Sequence, residues 1–217
     1  MFFYMGLKLQ ISGITTNDAL STCLKYQVDY LGVVFYNLSP RNTSFNHATQ
    51  FAQLIPSNLK KVAVVVNPDA TLIKEIKSSF KPDYFQFDDN QSAQQLQEYK
   101  DNYGINIIKT IYISDQLDIN LIRSYESVAD GFLFESQANA MLHVDQAENN
   151  FNWSLLRDLE TSRFWFLSGG LNKYNLGEAV RLSDCKMVSA SSTLESSPGI
   201  KDIDLLDEFL KIARSIK

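Results

Sequence analysis

Along this chain the spacing of apolar residues switches repeatedly between two periods. Short apolar runs that read as strands cover Leu7–Ser12, Tyr30–Phe35, Lys61–Val66, Tyr84–Phe87, Asn106–Ile113, Gly131–Phe134, Phe164–Leu167 and Met187–Ala190. Between them, apolar positions fall three and four apart, the spacing of one helical face. A first helix is expected from Asn17 to Tyr26, with Ala19, Leu20, Cys23 and Leu24 on one side and Thr16 or Asn17 as its cap. Others are expected over Asn46–Leu54, after Asn67-Pro68-Asp69, over Ser92–Tyr103, from Asp118, over Trp153–Leu159 and over Asn175–Leu182. The last, Asp202–Ile216, carries Ile203, Leu206, Phe209, Leu210 and Ala213 on one stripe.

Strands that alternate with helices imply parallel βα units, because a parallel neighbour is reached only through a crossover. The β-branched run Lys61–Val66 is of the kind buried on both faces. Eight such units with no strand left over predict an α/β fold, a closed (β/α)₈ TIM barrel, as one domain over residues 1–217. An open doubly wound sheet is the alternative, but no Gly-x-Gly-x-x-Gly follows the first strand.

Composition narrows the function. The chain is 45% hydrophobic, enough for a sizeable core, and no apolar run reaches membrane-spanning length. The opening Met1-Phe2-Phe3-Tyr4-Met5 is too short for a signal-peptide core and is read as a lead-in to the first strand. A net charge of −5 argues against a nucleic-acid or anionic-membrane surface, so an anionic ligand must be held by local geometry. Cys23 and Cys185 have no metal or redox spacing, as expected of buried thiols in a cytoplasmic protein. Asp88-Asp89 is expected as a solvated loop, and no metal site and no cofactor are expected.

Candidate chemistry concentrates near the carboxyl terminus. The strand Phe164–Leu167 empties into Ser168-Gly169-Gly170, and Met187–Ala190 into Ser191-Ser192-Thr193. Glycines let the backbone approach a ligand, and N–H groups at a following helix start favour an anion. Two such loops after the last two strands predict a phosphate cradle.

Several strand ends, in order, resemble those of the phosphoribosylanthranilate isomerase family of tryptophan biosynthesis. Gln10-Ile11-Ser12-Gly13-Ile14-Thr15 is similar to Lys-Ile-Cys-Gly-Ile-Thr, and Leu31-Gly32-Val33-Val34-Phe35 with Ser39-Pro40-Arg41 to Leu-Gly-Phe-Val-Phe and Ser-Pro-Arg. Phe151-Asn152-Trp153 is similar to Phe-Asp-Trp, and Ser168-Gly169-Gly170-Leu171 with Asn175 to Ala-Gly-Gly-Leu and a downstream Asn. Ser191-Ser192 and Glu195, with Pro198-Gly199-Ile200-Lys201-Asp202, resemble Ser-Ser-Gly-Val-Glu and Pro-Gly-Lys-Lys-Asp. The resemblance implies a (β/α)₈ barrel and an Amadori rearrangement, in which the ribose ring of a phosphoribosyl amine opens and a proton leaves C2′.

By position, the resemblance implies Ser12 and Glu135 as catalytic residues, where the family has a Cys base and an Asp acid. It implies Arg41 as the holder of the anthranilate carboxylate, with Gly169, Gly170, Asn175, Ser191 and Ser192 around the substrate. Further departures are Gln10 for Lys, Asp88-Asp89 for His-Gly after the fourth strand, Ser189 for Asp, Thr193 for Gly, and Asp145-Gln146-Ala147-Glu148-Asn149-Asn150 for a Gly-Gly-Thr-Gly loop. A hydroxyl without its own base is a poor proton acceptor; His47 and His143 are not well placed to assist. The alternative reading is therefore a barrel without isomerase activity that binds a phosphorylated ligand or a protein partner. The expected partner is a small phosphosugar, with no nucleic acid and no membrane, and the expected state is monomer or homodimer.

Overall fold

The computed structural model describes residues 6–136 and 152–216. Eight parallel strands close into a barrel in chain order: β1 (Lys8–Ser12), β2 (Tyr30–Phe35), β3 (Lys60–Val65), β4 (Tyr84–Phe87), β5 (Ile107–Ile113), β6 (Gly131–Ser136), β7 (Phe164–Leu167) and β8 (Met187–Ala190). Closure comes from β1, which pairs with β2 through Gln10–Tyr30 and Ser12–Gly32 and with β8 through Lys8–Met187 and Ile11–Ala190. The expected barrel is thus the observed one, and most strand limits agree to within a residue.

The intervening helices are α1 (Asn17–Lys25), α2 (Phe45–Leu54), α3 (Ala70–Ser79), α4 (Ala93–Tyr103), the short α5 (Gln116–Asn120) and α6 (Ile122–Tyr125), α7 (Leu176–Ser183) and α8 (Ile203–Ser215). Side-chain caps fix where several begin, since the first N–H groups of a helix lack internal partners. Thr16, Ser44 and Asp69 each accept from a backbone N–H of the following turn, Ser92 and Gln95 form a reciprocal capping box, and Asp202 caps α8. Of the two candidates for the first cap, Thr16 is the one used.

Three expectations need correction. Trp153–Leu156 is one 3₁₀ turn rather than a helix to Leu159, and the segment expected to start at Asp118 is the α5–α6 pair beginning at Gln116. The stretch between β8 and the last helix, expected as a loop, holds regular structure of its own. The chain makes a 3₁₀ turn, Ser192–Leu194, and an antiparallel hairpin of β9 (Glu195–Ser197) and β10 (Ile200–Lys201), and only then reaches α8. The polar sixth connection, Phe151 and His143 lie outside the described residues.

Burial divides into two shells. Strand residues pointing outward, such as Leu9, Ile11, Phe85, Phe132 and Phe134, pack beneath the helices together with Cys23. Those pointing inward, Tyr30, Val34, Val62, Val64, Ile108, Leu133, Phe166 and Met187, fill the barrel. The interior is a packed aromatic plug and not a pore: Tyr30 meets Phe166 edge-on at 5.0 Å between ring centres, and Tyr84 meets Phe164 at 5.5 Å. Cys23 and Cys185 are buried, and burial pushes their thiols up, to about 12 and about 11. No helix among the described residues is long and apolar enough to cross a membrane.

Candidate active site

Side chains along a strand alternate between its two faces, so each inward residue of the plug identifies the next inward residue two places on. From Leu133 the alternation reaches Glu135; from Ile108 it reaches Thr110 and then Tyr112; from Val62 through its register partner Tyr84 it reaches Gln86. At the carboxyl end of the strands the lining turns polar: Gln10, Ser12, Gln86, Thr110, Tyr112, Glu135, Ser168 and Ser189. Gln10, Gln86, Thr110 and Ser189 are buried although polar, and Ser12 is 8% exposed.

Ser12 is held by amides. Nε2 of Gln10 donates to Ser12 Oγ at 2.9 Å and to Gln86 Oε1 at 2.8 Å, a bond that crosses the barrel from β1 to β4. Gly32 leaves room for the serine side chain, since a Cβ there would stand 2.3 Å from Ser12 Oγ. Among the described residues Gln10 Oε1 and Thr110 Oγ1 are buried without a hydrogen-bond partner. Such groups cost on the order of 1–3 kcal/mol each unless a ligand or water meets them.

On the opposite side, the hydroxyl of Tyr112 donates to Asp88 Oδ1 at 2.9 Å. Burial, then the nearby Asp88 and Glu135 carboxylates, push the phenol of Tyr112 up, so it stays a donor. Glu135 pairs in register with Tyr112 across β5 and β6. Asp88-Asp89 is therefore not the solvated loop that was expected. Asp89 accepts from the Asn67 N–H and from Gln91 Nε2, and burial raises its carboxyl despite those bonds. Beneath them Lys109, 3% exposed, donates to the Asp89 carbonyl, and burial lowers its ammonium.

Arg41 lies where the first and eighth loops meet. Its Nε and Nη2 donate to the two carboxylate oxygens of Glu195, each at 2.8 Å, a bidentate fork between residues 154 positions apart. Glu195 also accepts from Lys201 Nζ at 2.6 Å and from the Gly199 N–H at 3.0 Å. Burial alone would raise the Glu195 carboxyl, but Arg41 and Lys201 hold it below the usual range. Two glycines allow this clamp to close. A Cβ on Gly13 would stand 2.8 Å from Arg41 Cδ, and one on Gly199, at φ +86°, would stand 2.2 Å from the Pro40 carbonyl oxygen. Ser39-Pro40-Arg41 and Pro198-Gly199-Ile200-Lys201 thus lock together, with Arg41 held against the β1 loop.

In the seventh loop Gly169 and Gly170 have φ of 92° and 66°, a region that side chains other than glycine rarely adopt. Asn175, directly before α7, shapes this loop: Nδ2 donates to the Gly170 carbonyl at 2.9 Å and Oδ1 accepts from the Asn172 N–H at 2.8 Å. Thr193 donates to the Leu171 carbonyl and so ties the eighth loop to the seventh. Ser191 Oγ donates to the Ser12 carbonyl at 3.0 Å, and Ser192 opens the following 3₁₀ turn. The expected site residues therefore fall into three groups round one mouth: Ser12; Glu135 across from it; and Arg41 with the glycine and serine loops on the β7–β8–β1 side. Sequence reading missed the inward direction of Asp88, Tyr112 and Gln86, although the period-2 alternation carried past the strand ends contains it.

A parallel eight-stranded barrel with its polar groups collected at the carboxyl end of the strands is the architecture of a (β/α)₈-barrel enzyme. The family model described as N-(5′-phosphoribosyl)anthranilate (PRA) isomerase matches residues 9–212. The N-(5′-phosphoribosyl)anthranilate isomerase of Paramagnetospirillum magneticum is 33% identical over 97% of this chain and 98% of its own length. That of Parvibaculum lavamentivorans is 30% identical over 97% and 99%. The crystal structure of phosphoribosyl anthranilate isomerase from Thermotoga maritima superposes with a TM-score of 0.85 at 26% identity, covering 97% of this chain and all of that one. A phosphoribosyl anthranilate isomerase crystallised with reduced 1-(o-carboxyphenylamino)-1-deoxyribulose 5-phosphate gives 0.81 at 26% identity, with the same coverage. The chain belongs to the phosphoribosylanthranilate isomerase family.

Proposed function

We propose that this protein catalyses the isomerisation of N-(5′-phosphoribosyl)anthranilate to 1-(o-carboxyphenylamino)-1-deoxyribulose 5-phosphate, a step of tryptophan biosynthesis. The observation that carries the reading is the family match over residues 9–212, which runs through every loop of the mouth. A relative of the same fold crystallised with a reduced form of that product supports the choice of ligand.

The roles follow from position and chemistry. The substrate carries two anions at its ends, a phosphate and an anthranilate carboxylate. The phosphate sits on the Gly169-Gly170 and Ser191-Ser192 loops, whose backbone N–H groups suit an anion, with Asn175 holding the glycine loop in shape. The carboxylate takes the Arg41 guanidinium, oriented by Glu195. Glu135 protonates the ribose ring oxygen as the ring opens to the imine, and Ser12 hydrogen-bonds near C2′. The chemistry needs one acid and one base and no electron transfer, so no cofactor enters. The protein acts in the cytoplasm as a monomer or homodimer.

The test follows the fluorescence of freshly made phosphoribosylanthranilate after adding the purified protein. Decay faster than the uncatalysed rate, removed by Glu135→Gln, is the expected result. No acceleration by folded wild-type protein overturns the reading in favour of a binding barrel.

A further inference from the structure

A position normally held by a thiol carries Ser12, so the residue that takes the C2′ proton has to be found. Among the described residues the one side-chain partner of Ser12 Oγ is the Gln10 amide, which donates to it. An N–H donor makes the oxygen a poorer proton acceptor and supplies nowhere for the serine proton to go. The base must come from another strand.

We infer that Asp88, facing the mouth from the end of β4 and held by Tyr112, is the catalytic base of the rearrangement. Three observations bring it there. The Asp88 N–H still bonds the Val65 carbonyl at 3.0 Å, so strand alternation persists past Phe87 and Asp88 points inward like Gln86. Its Oδ1 accepts from Tyr112, an inward residue whose strand neighbour is Glu135, and among the described residues Oδ2 accepts no hydrogen bond. Finally, Gln10 bonds both Ser12 and Gln86, and Asp88 stands two residues, about 6.6 Å, along the strand from Gln86. A sugar carbon resting on Ser12 and the unpartnered Gln10 Oε1 therefore lies beneath the Asp88 carboxylate.

The assignment rests on the proposed rearrangement and completes its proton balance. After Glu135 has protonated the ring oxygen, the C2′–H bond breaks toward Asp88. Its electron pair forms the C1′=C2′ bond, and the imine pair returns to nitrogen. The Asp88 proton is then delivered to C1′ while the 2′-hydroxyl proton leaves to solvent, giving the ketone and restoring the Asp88 carboxylate. Glu135 takes one proton back from solvent, which closes the cycle. Tyr112 steadies one carboxylate oxygen throughout and keeps the two acids, Asp88 and Glu135, on separate duties.

The experiment compares wild type, Asp88→Asn, Asp88→Gly and Ser12→Ala in the fluorescence assay, each checked for folding by far-UV circular dichroism. Asp88→Asn is expected to lower kcat by about 10²–10⁴-fold with little change in KM, as for loss of a general base. Ser12→Ala is expected to lose about tenfold, the worth of a hydrogen bond. Added formate is expected to restore Asp88→Gly in part by supplying the missing carboxylate, which a purely structural aspartate would not allow. Should Asp88→Asn not fold, Asp88→Ser takes its place. An active wild type with Asp88→Asn near its rate, or with Asp88→Gly unrescued by formate, overturns the assignment and leaves the reaction standing. An inactive wild type overturns both.

Discussion

The two ends of the barrel interior are built from the same eight strands and could hardly differ more. At the amino end, Tyr30, Val62, Tyr84, Ile108, Leu133, Phe164, Phe166 and Met187 interlock with ring centres 5.0 to 6.2 Å apart. Two to four residues further along those strands, the same inward direction carries Gln10, Ser12, Gln86, Asp88, Tyr112 and Glu135. The polar groups of the amino-end plug are the Tyr30 and Tyr84 hydroxyls, and neither is a buried atom without a partner among the described residues. The carboxyl end leaves buried polar atoms, Gln10 Oε1 and Thr110 Oγ1, without partners among the described residues. Apolar packing and polar chemistry are thus separated along the barrel axis.

Substitutions at the two ends should break along that division. Phe166→Ala, at the centre of the plug, is expected to cost about 3–5 kcal/mol of unfolding free energy, read as a shift of the urea midpoint. Glu135→Gln, at the other end of a neighbouring strand, is expected to leave that midpoint within about 0.5 kcal/mol of wild type while lowering kcat about a hundredfold. Equal losses of stability would show that the ends are not separate.

The Arg41–Glu195–Lys201 clamp belongs to the active end yet behaves like core, because the Lys201 side chain has no exposure and that of Glu195 only 3%. Glu195→Gln is expected to cost about 3 kcal/mol near neutral pH, since it takes from the buried Lys201 ammonium the carboxylate that pairs with it at 2.6 Å. The pH dependence has a definite sign. A carboxyl held low in the folded state stabilises above its unfolded pKa, about 4.3, and that contribution is lost as pH falls through the lower folded value. The stability gap between wild type and Glu195→Gln should therefore be full above about pH 5 and shrink below pH 4. A gap that does not change with pH would remove Glu195 ionisation from the clamp.

The smallest effect tests the amide bridge. Gln10→Leu or Gln86→Leu alone should cost about 1 kcal/mol by stranding the other amide, whereas the double substitution should come close to wild type. Additive losses would mean that the two glutamines do not act as one unit.

Most of the scaffold was legible before any contact was known. The strand limits of Tyr30–Phe35, Tyr84–Phe87, Phe164–Leu167 and Met187–Ala190 match the apolar runs, and α8 follows its stripe from the Asp202 cap. The glycine-rich seventh loop was legible too, because positive φ selects its residue type directly. The β9–β10 hairpin was not, since Glu195–Lys201 shows no period of its own and exists because Glu195 reaches Arg41 and Lys201. Asp88-Asp89 misled for the same reason: two acids after a strand look solvated until Tyr112, Asn67 and Gln91 are seen to bond them.

By itself, then, the sequence determined the alternation of strands and helices, their count, the caps and the positions of the mouth loops. These depend on residues a few places apart, whose spacing the chain states openly. Tertiary structure alone decided that Arg41 is clamped by a glutamate 154 residues away, that Ser12 is tied through Gln10 to a strand across the barrel, and that Asp88 faces the mouth. Those facts depend on which distant polar groups meet once water is excluded, and a polar side chain has no fixed role until its partner and its burial are set.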